Sequence, residues 1–174
     1  MYIIIIHQKQ GDGNRMKIIE LTQGKFAIVD VEDFEDLNKY KWHYADGYAR
    51  RNKRLDDNKR IIVFMHRELM GTINGFETDH INGDRADNRR SNLRVVTKSE
   101  NQRNTKPRKG TSSFKGVSFY KSKRHNTGYW IARISVNGKV KRLGYFKNEI
   151  EAAKAYNLAA KKYYKEYAKI NEVQ

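Results

Sequence analysis

Residues 79–101 read DHINGDRADNRRSNLRVVTKSEN, and their punctuation leaves the backbone little choice. Ile81-Asn82-Gly83-Asp84 is a turn, because Gly and Asn tolerate positive φ and Asp accepts local backbone hydrogen bonds. Residues 93–96 form a short apolar strand. Thr97-Lys98-Ser99-Glu100 is a capping box: the Thr97 hydroxyl accepts from the Glu100 amide and the Glu100 carboxylate reaches back. A helix therefore starts at Thr97 and carries Asn101 on its second turn. The stretch presents an acid and a histidine side by side (Asp79, His80). It then presents a loop containing Asn88 and Asn92, and a rigid helix bearing Asn101 and Asn104.

That ordered set has a chemical meaning. Phosphodiester hydrolysis needs a base for the attacking water and stabilisation of charge on the leaving 3′ oxygen. A histidine suits the first task at neutral pH. A divalent cation suits the second, and hard oxygen donors such as Asp79 and Asn101 favour Mg²⁺ or Mn²⁺ over zinc. Adjacent side chains on extended backbone diverge, so Asp79 can face a metal while His80 faces water. The Asn92 amide can bond across to the loop backbone and hold His80 in place. Asn104 competes with Asn101 as ligand, and Asn88 competes with Asn92. An Asp-His dipeptide alone is common; the ordered set carries the weight.

Composition narrows the partners. Lys and Arg number 36 against 20 Asp and Glu, a formal net charge of +16 in 174 residues, with an isoelectric point near 9.9. Such a chain meets a polyanion, and the interleaving of basic residues with Tyr and Trp favours nucleic acid over a membrane surface. There is no cysteine, which excludes disulfides and Cys-based zinc sites and fits a reducing cytoplasm. Hydrophobic content of 38% and a mean hydropathy of −0.92 point to two small cores rather than one large one. No apolar stretch approaches the length of a membrane span. Residues 1–15 are expected to be disordered, and Met16 opens an equally sensible chain.

Three sections follow. In the first, 17–21 and 26–29 read as strands across Gln23-Gly24, and 31–40 carries apolar residues at helical spacing. Asp46-Gly47 is a hairpin turn, 61–64 a short strand and 66–70 a helical turn or two. The second section is the motif. The polar stretch 106–113, with the only proline, reads as a linker. In the third section, 114–120, 129–136 and 140–145 are strands, the last two joined by Asn137-Gly138. A helix capped at Asn148 extends to about residue 169, and its alanines permit close approach to a sheet. Alternation puts Trp130, Ala132 and Ile134 on the helix side of that sheet. It leaves Tyr129, Ile131, Arg133 and Ser135 on a free face. His43 reads as an ordinary strand histidine, Asp56-Asp57 as a solvated turn and His125 as a loop residue.

DHINGD, DNRRSNLRVVT and KSENQRN resemble the HNH endonucleases of phages and mobile introns, over about 16–104. The resemblance implies a ββα-metal core with one divalent metal, Mg²⁺ or Mn²⁺ and not zinc. It implies His80 as general base, Asn92 as the loop-fixing asparagine, and Asp79 and Asn101 as ligands, Asn101 standing where histidine is frequent. His66-Arg67 resembles a His-Arg pair preceding the motif in these nucleases. His66 is accordingly counted with the catalytic group and Arg67 with the phosphate contacts. Phe114-Lys115-Gly116-Val117, residues 128–134, Leu143-Gly144-Tyr145-Phe146 and residues 151–156 resemble the Apetala-type (ethylene-response-factor) DNA-binding domain, over about 114–170. By position this nominates Lys115, Ser118, Tyr120, Tyr129, Arg133, Ser135 and Arg142 as DNA contacts. Arg142 stands where tryptophan is usual, and the 121–127 loop also departs from the pattern.

The expectation is therefore an α+β chain. A β-rich N-terminal section leads into an HNH core (16–105), and a linker (106–113) is followed by a three-stranded antiparallel sheet on one helix (114–174). Arg50, Arg51, Lys53, Arg54, Arg94 and Arg124 add backbone contacts. The expected activity is site-specific, homing-type cleavage of double-stranded DNA by a cytoplasmic monomer, in the host cytoplasm if phage-encoded, with no membrane association and no small-molecule cofactor. The alternative is a non-catalytic DNA-binding regulator with a degenerate nuclease core.

Overall fold

The protein is described by a computed structural model covering residues 16–107, 109–122 and 127–173. The N-terminal 15 residues, Arg124 and His125 lie outside the described residues. The chain forms two compact units. One gathers the residues up to Gly71 with Asp84–Leu93; the other gathers Thr72–Gly83 with the residues from Arg94 onward. The partition therefore runs through the motif and not through 106–113.

In the first unit β1 (Met16–Glu20) and β2 (Phe26–Asp30) form an antiparallel hairpin, followed by α1 (Val31–Leu37). β3 (His43–Ala45), β4 (Tyr48–Arg54) and β5 (Arg60–Phe64) make an antiparallel sheet, and α2 (Met65–Leu69) follows directly. Asp46 and Gly47 take φ of 53° and 88°, the double left-handed turn that the Asp-Gly pair foretold. One core unites Ile19, Leu21, Ala27, Val29, Leu37, Trp42, Ala49 and Met65. α1 is shorter than the 31–40 expected. Its last turn is closed by the Asn38 amide on the Phe34 carbonyl, and the Tyr40 ring beyond it packs under the Arg51 guanidinium at 3.8 Å. The loop 84–92 clamps onto β2: the Asn88 amide donates to the Ile28 carbonyl at 2.7 Å, the Ile28 amide to Ala86 at 2.9 Å. Arg90 adds its amide to Asp30 and its guanidinium to Asp33.

In the second unit β6 (Phe76–His80) and β7 (Leu93–Thr97, from Arg94 onward in this unit) pair, and α3 (Lys98–Asn104) packs on β6. The capping box forms as expected, the Thr97 hydroxyl accepting from the Glu100 amide. β8 (Val117–Lys121), β9 (Gly128–Val136) and β10 (Lys139–Phe146) form an antiparallel sheet with β9 central. α4 (Glu149–Tyr164) covers one face, capped by the Asn148 side chain on the Glu151 amide. Ala152, Ala153 and Ala160 are fully buried against that sheet with Ala132 and Ile134. Gly116, at φ 74°, is required: a Cβ there would fall on the Tyr156 ring and 2.6 Å from the Arg133 carbonyl. Two expectations are corrected. Ile131, assigned to the free face, is 4% exposed, since it lies mid-strand with Ser118 and Tyr145 as register partners. α4 stops at Tyr164, because the Tyr164 hydroxyl bonds the Ser135 carbonyl and Lys165 turns to φ 50°.

Lys115 ties the sheet's leading strand to α3. Its amine donates to the carbonyls of Gln102, Arg103 and Thr105 at and just beyond the end of α3. Burial, and the nearby Lys169 ammonium, push its pKa down to about 8. The unfolded value is about 10.4, so the unfolded chain binds more protons across this window. The lysine's contribution to stability therefore grows as pH rises from about 8 towards 10.4, and is lost as pH falls through 8. Lys115→Met is expected to lower stability in urea unfolding, with the gap to wild type wider at pH 10 than at pH 7. A pH-independent gap would contradict this role.

Candidate functional site

β6 brings an acid, a hydroxyl, a second acid and a histidine to one strand: Glu77, Thr78, Asp79, His80. Alternation places Glu77 and Asp79 on one face and His80 on the other, the divergence expected of an extended backbone. Asp79 and His80 are both buried, at 6% and 5% exposure. α3 lies along β6, and its residues three apart share a face. The Asn101 amide reaches Glu77 Oε2 at 2.5 Å. The Asn104 amide reaches Asp79 Oδ1 and Oδ2 at 3.0 and 3.1 Å, and the His80 carbonyl at 2.9 Å. Asn104 thereby fixes the end of the strand where the two key side chains part, and the Gly83 amide closes the following turn onto the same His80 carbonyl.

The charge on Asp79 is answered by Arg94 of β7. Nε and Nη2 both donate to Asp79 Oδ2, at 2.9 and 2.7 Å, with side-chain exposures of only 16% and 7%. The guanidinium is itself held: Nη1 donates to the Glu166 carbonyl at 2.8 Å, and the Tyr167 ring lies 4.6 Å beneath it. The chain beyond α4 thus supplies part of the Asp79 environment.

The structure pairs the asparagines differently from the sequence reading. Asp79 meets Asn104, while Asn101 meets Glu77. Neither Glu77 nor the Arg94–Asp79 pair was singled out from sequence. Glu77 carried a usable signal, two residues before Asp79 and so on the same strand face, had FETDH been read as a strand.

The other nominated residues fall as follows. In the first unit, Asn92 is buried and donates to the Asp87 carbonyl at 2.8 Å, bracing its loop. Asn88, fully buried, donates to Ala86 at 3.1 Å. His66 is buried in α2 against the rings of Tyr48 and Phe64, at 5.1 and 5.5 Å. Arg51 is buried, ion-paired to Glu68 at 2.7 Å and stacked on Tyr40, which fits a role inside that unit. Arg50 and Arg67 are half-buried. In the second unit, Ser118, Tyr120, Tyr129, Arg133, Ser135 and Arg142 share the sheet face away from α4 by register. Lys115 is engaged at the end of α3, as above.

The donor chemistry fits a hard divalent cation. Asp79 and Glu77 offer carboxylates and Asn101 and Asn104 offer carboxamides, all oxygen donors beside one strand. Asp79 Oδ1 accepts one hydrogen bond, from Asn104, which leaves acceptor capacity. A carboxamide presents oxygen in place of its amide by a half-turn of its last torsion. Among the described residues no group of three or more His, Cys, Asp and Glu gathers as a ready-made metal cage.

The span that holds β6, β7 and most of α3 matches a known family. Residues 70–103 match the family described as HNH endonuclease, a span that begins just before β6 and ends in α3. Over 159 residues the chain is 29% identical to a protein of Acanthamoeba polyphaga mimivirus named "Uncharacterized HNH endonuclease L560", covering 87% of this chain and 77% of that one. No solved structure matches. The HNH match carries the expectation of a nuclease.

Breaking a buried ion pair by removing one partner costs about 3–5 kcal/mol. Arg94→Ala is expected to lose on that order in urea unfolding, and Asp79→Asn/Arg94→Ala to recover part of it. A double variant no more stable than the single one would show that the pair does not organise this strand end.

Proposed function

We propose that this protein is a metal-dependent DNA endonuclease of homing type, with a cutting module in 16–105 and a recognition module in 114–174. The observation that carries the reading is the end of β6. There a buried carboxylate is fixed by Arg94 and Asn104 and a histidine is projected to the opposite face, within the span that matches HNH endonucleases.

In this reading His80 takes the proton of the attacking water. The Asn104 and Gly83 bonds to its carbonyl fix the backbone that its imidazole hangs from. Asn92 keeps the loop before β7 in one shape through the Asp87 carbonyl. Asp79, with Asn101 or Asn104, would hold one divalent cation, Mg²⁺ or Mn²⁺. When bound, that cation would stabilise charge on the phosphate and on the departing 3′ oxygen. The products are 5′-phosphate and 3′-hydroxyl ends.

Binding is driven by charge. The formal net charge of +16 suits the phosphate backbone, and Arg133 and Arg142 on the open sheet face suit the duplex. Arg50 and Arg67 add contacts from the first unit. The resemblance of 114–170 to Apetala-type domains and the sheet-on-helix architecture support the recognition role.

Plasmid cleavage with Mg²⁺ or Mn²⁺ is the test. His80→Ala should slow cleavage by roughly 10²–10⁴-fold, the usual contribution of a general base, with duplex affinity held within about twofold. EDTA should abolish cleavage. Cleavage that survives His80→Ala would remove the proposed base. Tight binding by wild type without any cleavage would favour a DNA-binding regulator.

A further inference from the structure

The sheet face away from α4 has a chemistry that duplex recognition leaves unused. Strands β8, β9 and β10 contain no Asp or Glu, and by register this face carries Arg133 and Arg142. One end of this face is aromatic. Tyr120 stacks on Tyr129, with ring centroids 5.2 Å apart and planes 30° apart, and Tyr129 meets Tyr145 edge-on at 4.9 Å. Tyr120 and Tyr145 are nevertheless 48% and 53% exposed. The Arg142 guanidinium lies 5.1 Å from the Tyr145 ring and bonds its hydroxyl. Beside these rings is an open depression of about 450 Å³, lined by Gly128, Tyr129, Tyr145, Phe146 and Lys147.

Half-exposed rings gathered around a depression with cations at its rim fit a flat apolar object attached to an anion. A nucleotide is such an object. In an intact duplex both faces of every base are covered by its neighbours, so only edges, sugars and phosphates are offered. An unpaired base offers its face, and aromatic side chains take it by stacking, with little sequence preference. Charge complementarity selects a polyanion over a neutral or basic protein partner, since the three strands hold no acid.

We infer that the Tyr129–Tyr145 depression binds an unpaired nucleotide of the DNA, the base against the tyrosine rings and the adjoining phosphate at Lys147 and Arg142. This rests on the nucleic-acid reading above and deepens it. The recognition module would then prefer a target carrying an unstacked or single-stranded position.

The test is fluorescence anisotropy with the full chain at fixed salt and no divalent metal. Three labelled DNAs are compared: a single strand, its perfect duplex, and the duplex with one bulged nucleotide. Tyr145→Ala is expected to weaken the single strand and the bulge by about 5- to 150-fold, the range for one lost base–aromatic stack. The perfect duplex should change less than twofold, and Tyr145→Trp should retain wild-type binding. Lys147→Ala should weaken the single strand and the bulge by a few-fold. Equal losses on all three DNAs with Tyr145→Ala, or no loss on any, would overturn the inference while leaving the nucleic-acid reading in place. Failure of the wild type to bind any of the three would overturn the nucleic-acid reading with it.

Discussion

The Asp79 carboxylate is the point on which the motif is organised. A carboxylate at 6% exposure needs partners, because burying a polar group without hydrogen bonds or a counter-charge costs free energy. Arg94 supplies the counter-charge and Asn104 the hydrogen bonds. Both partners come from the elements beside β6, Arg94 from β7 and Asn104 from α3. In the chain after α4, the Glu166 carbonyl and Tyr167 ring hold the guanidinium.

The two halves of the motif are stabilised by different means. The loop 84–92 belongs to the first unit and is fixed by backbone bonds to Ile28 and by side chains, Arg90 to Asp33, Arg89 to Asp87 and Asn92 to the Asp87 carbonyl. The strand and helix that carry Asp79, His80, Asn101 and Asn104 belong to the second unit and are fixed through side chains. Lys115 then joins α3 to the strand that opens the C-terminal sheet.

Much of this was legible in the residues. Asp46-Gly47, Asn137-Gly138, the Thr97 capping box and the Asn148 cap each formed where local chemistry dictated, because each depends on neighbours in the chain alone. What depends on distant partners was not legible. FETDH has too few apolar residues to announce a strand, so Glu77 and its bond to Asn101 were missed. The pairing of Asp79 with Asn104, the burial of Arg51 on Tyr40 and Glu68, and that of Ile131 at mid-sheet all required the fold. Lys115 and Arg94 read from the sequence as DNA contacts in a basic chain. Only the positions of the α3 carbonyls and of Asp79 show that they are engaged.

In the proposed mechanism Asp79 would anchor a divalent cation at the end of β6. Titration of the ¹⁵N- and ¹³C-labelled chain with Mn²⁺, followed by NMR line broadening, addresses it directly. The account predicts that signals of His80, Asn101 and Asn104 broaden at the lowest Mn²⁺ additions, and that Asp79→Asn removes this broadening while the capping-box amide of Glu100 stays dispersed. Broadening that begins elsewhere in the chain, or that persists unchanged in Asp79→Asn, would contradict it.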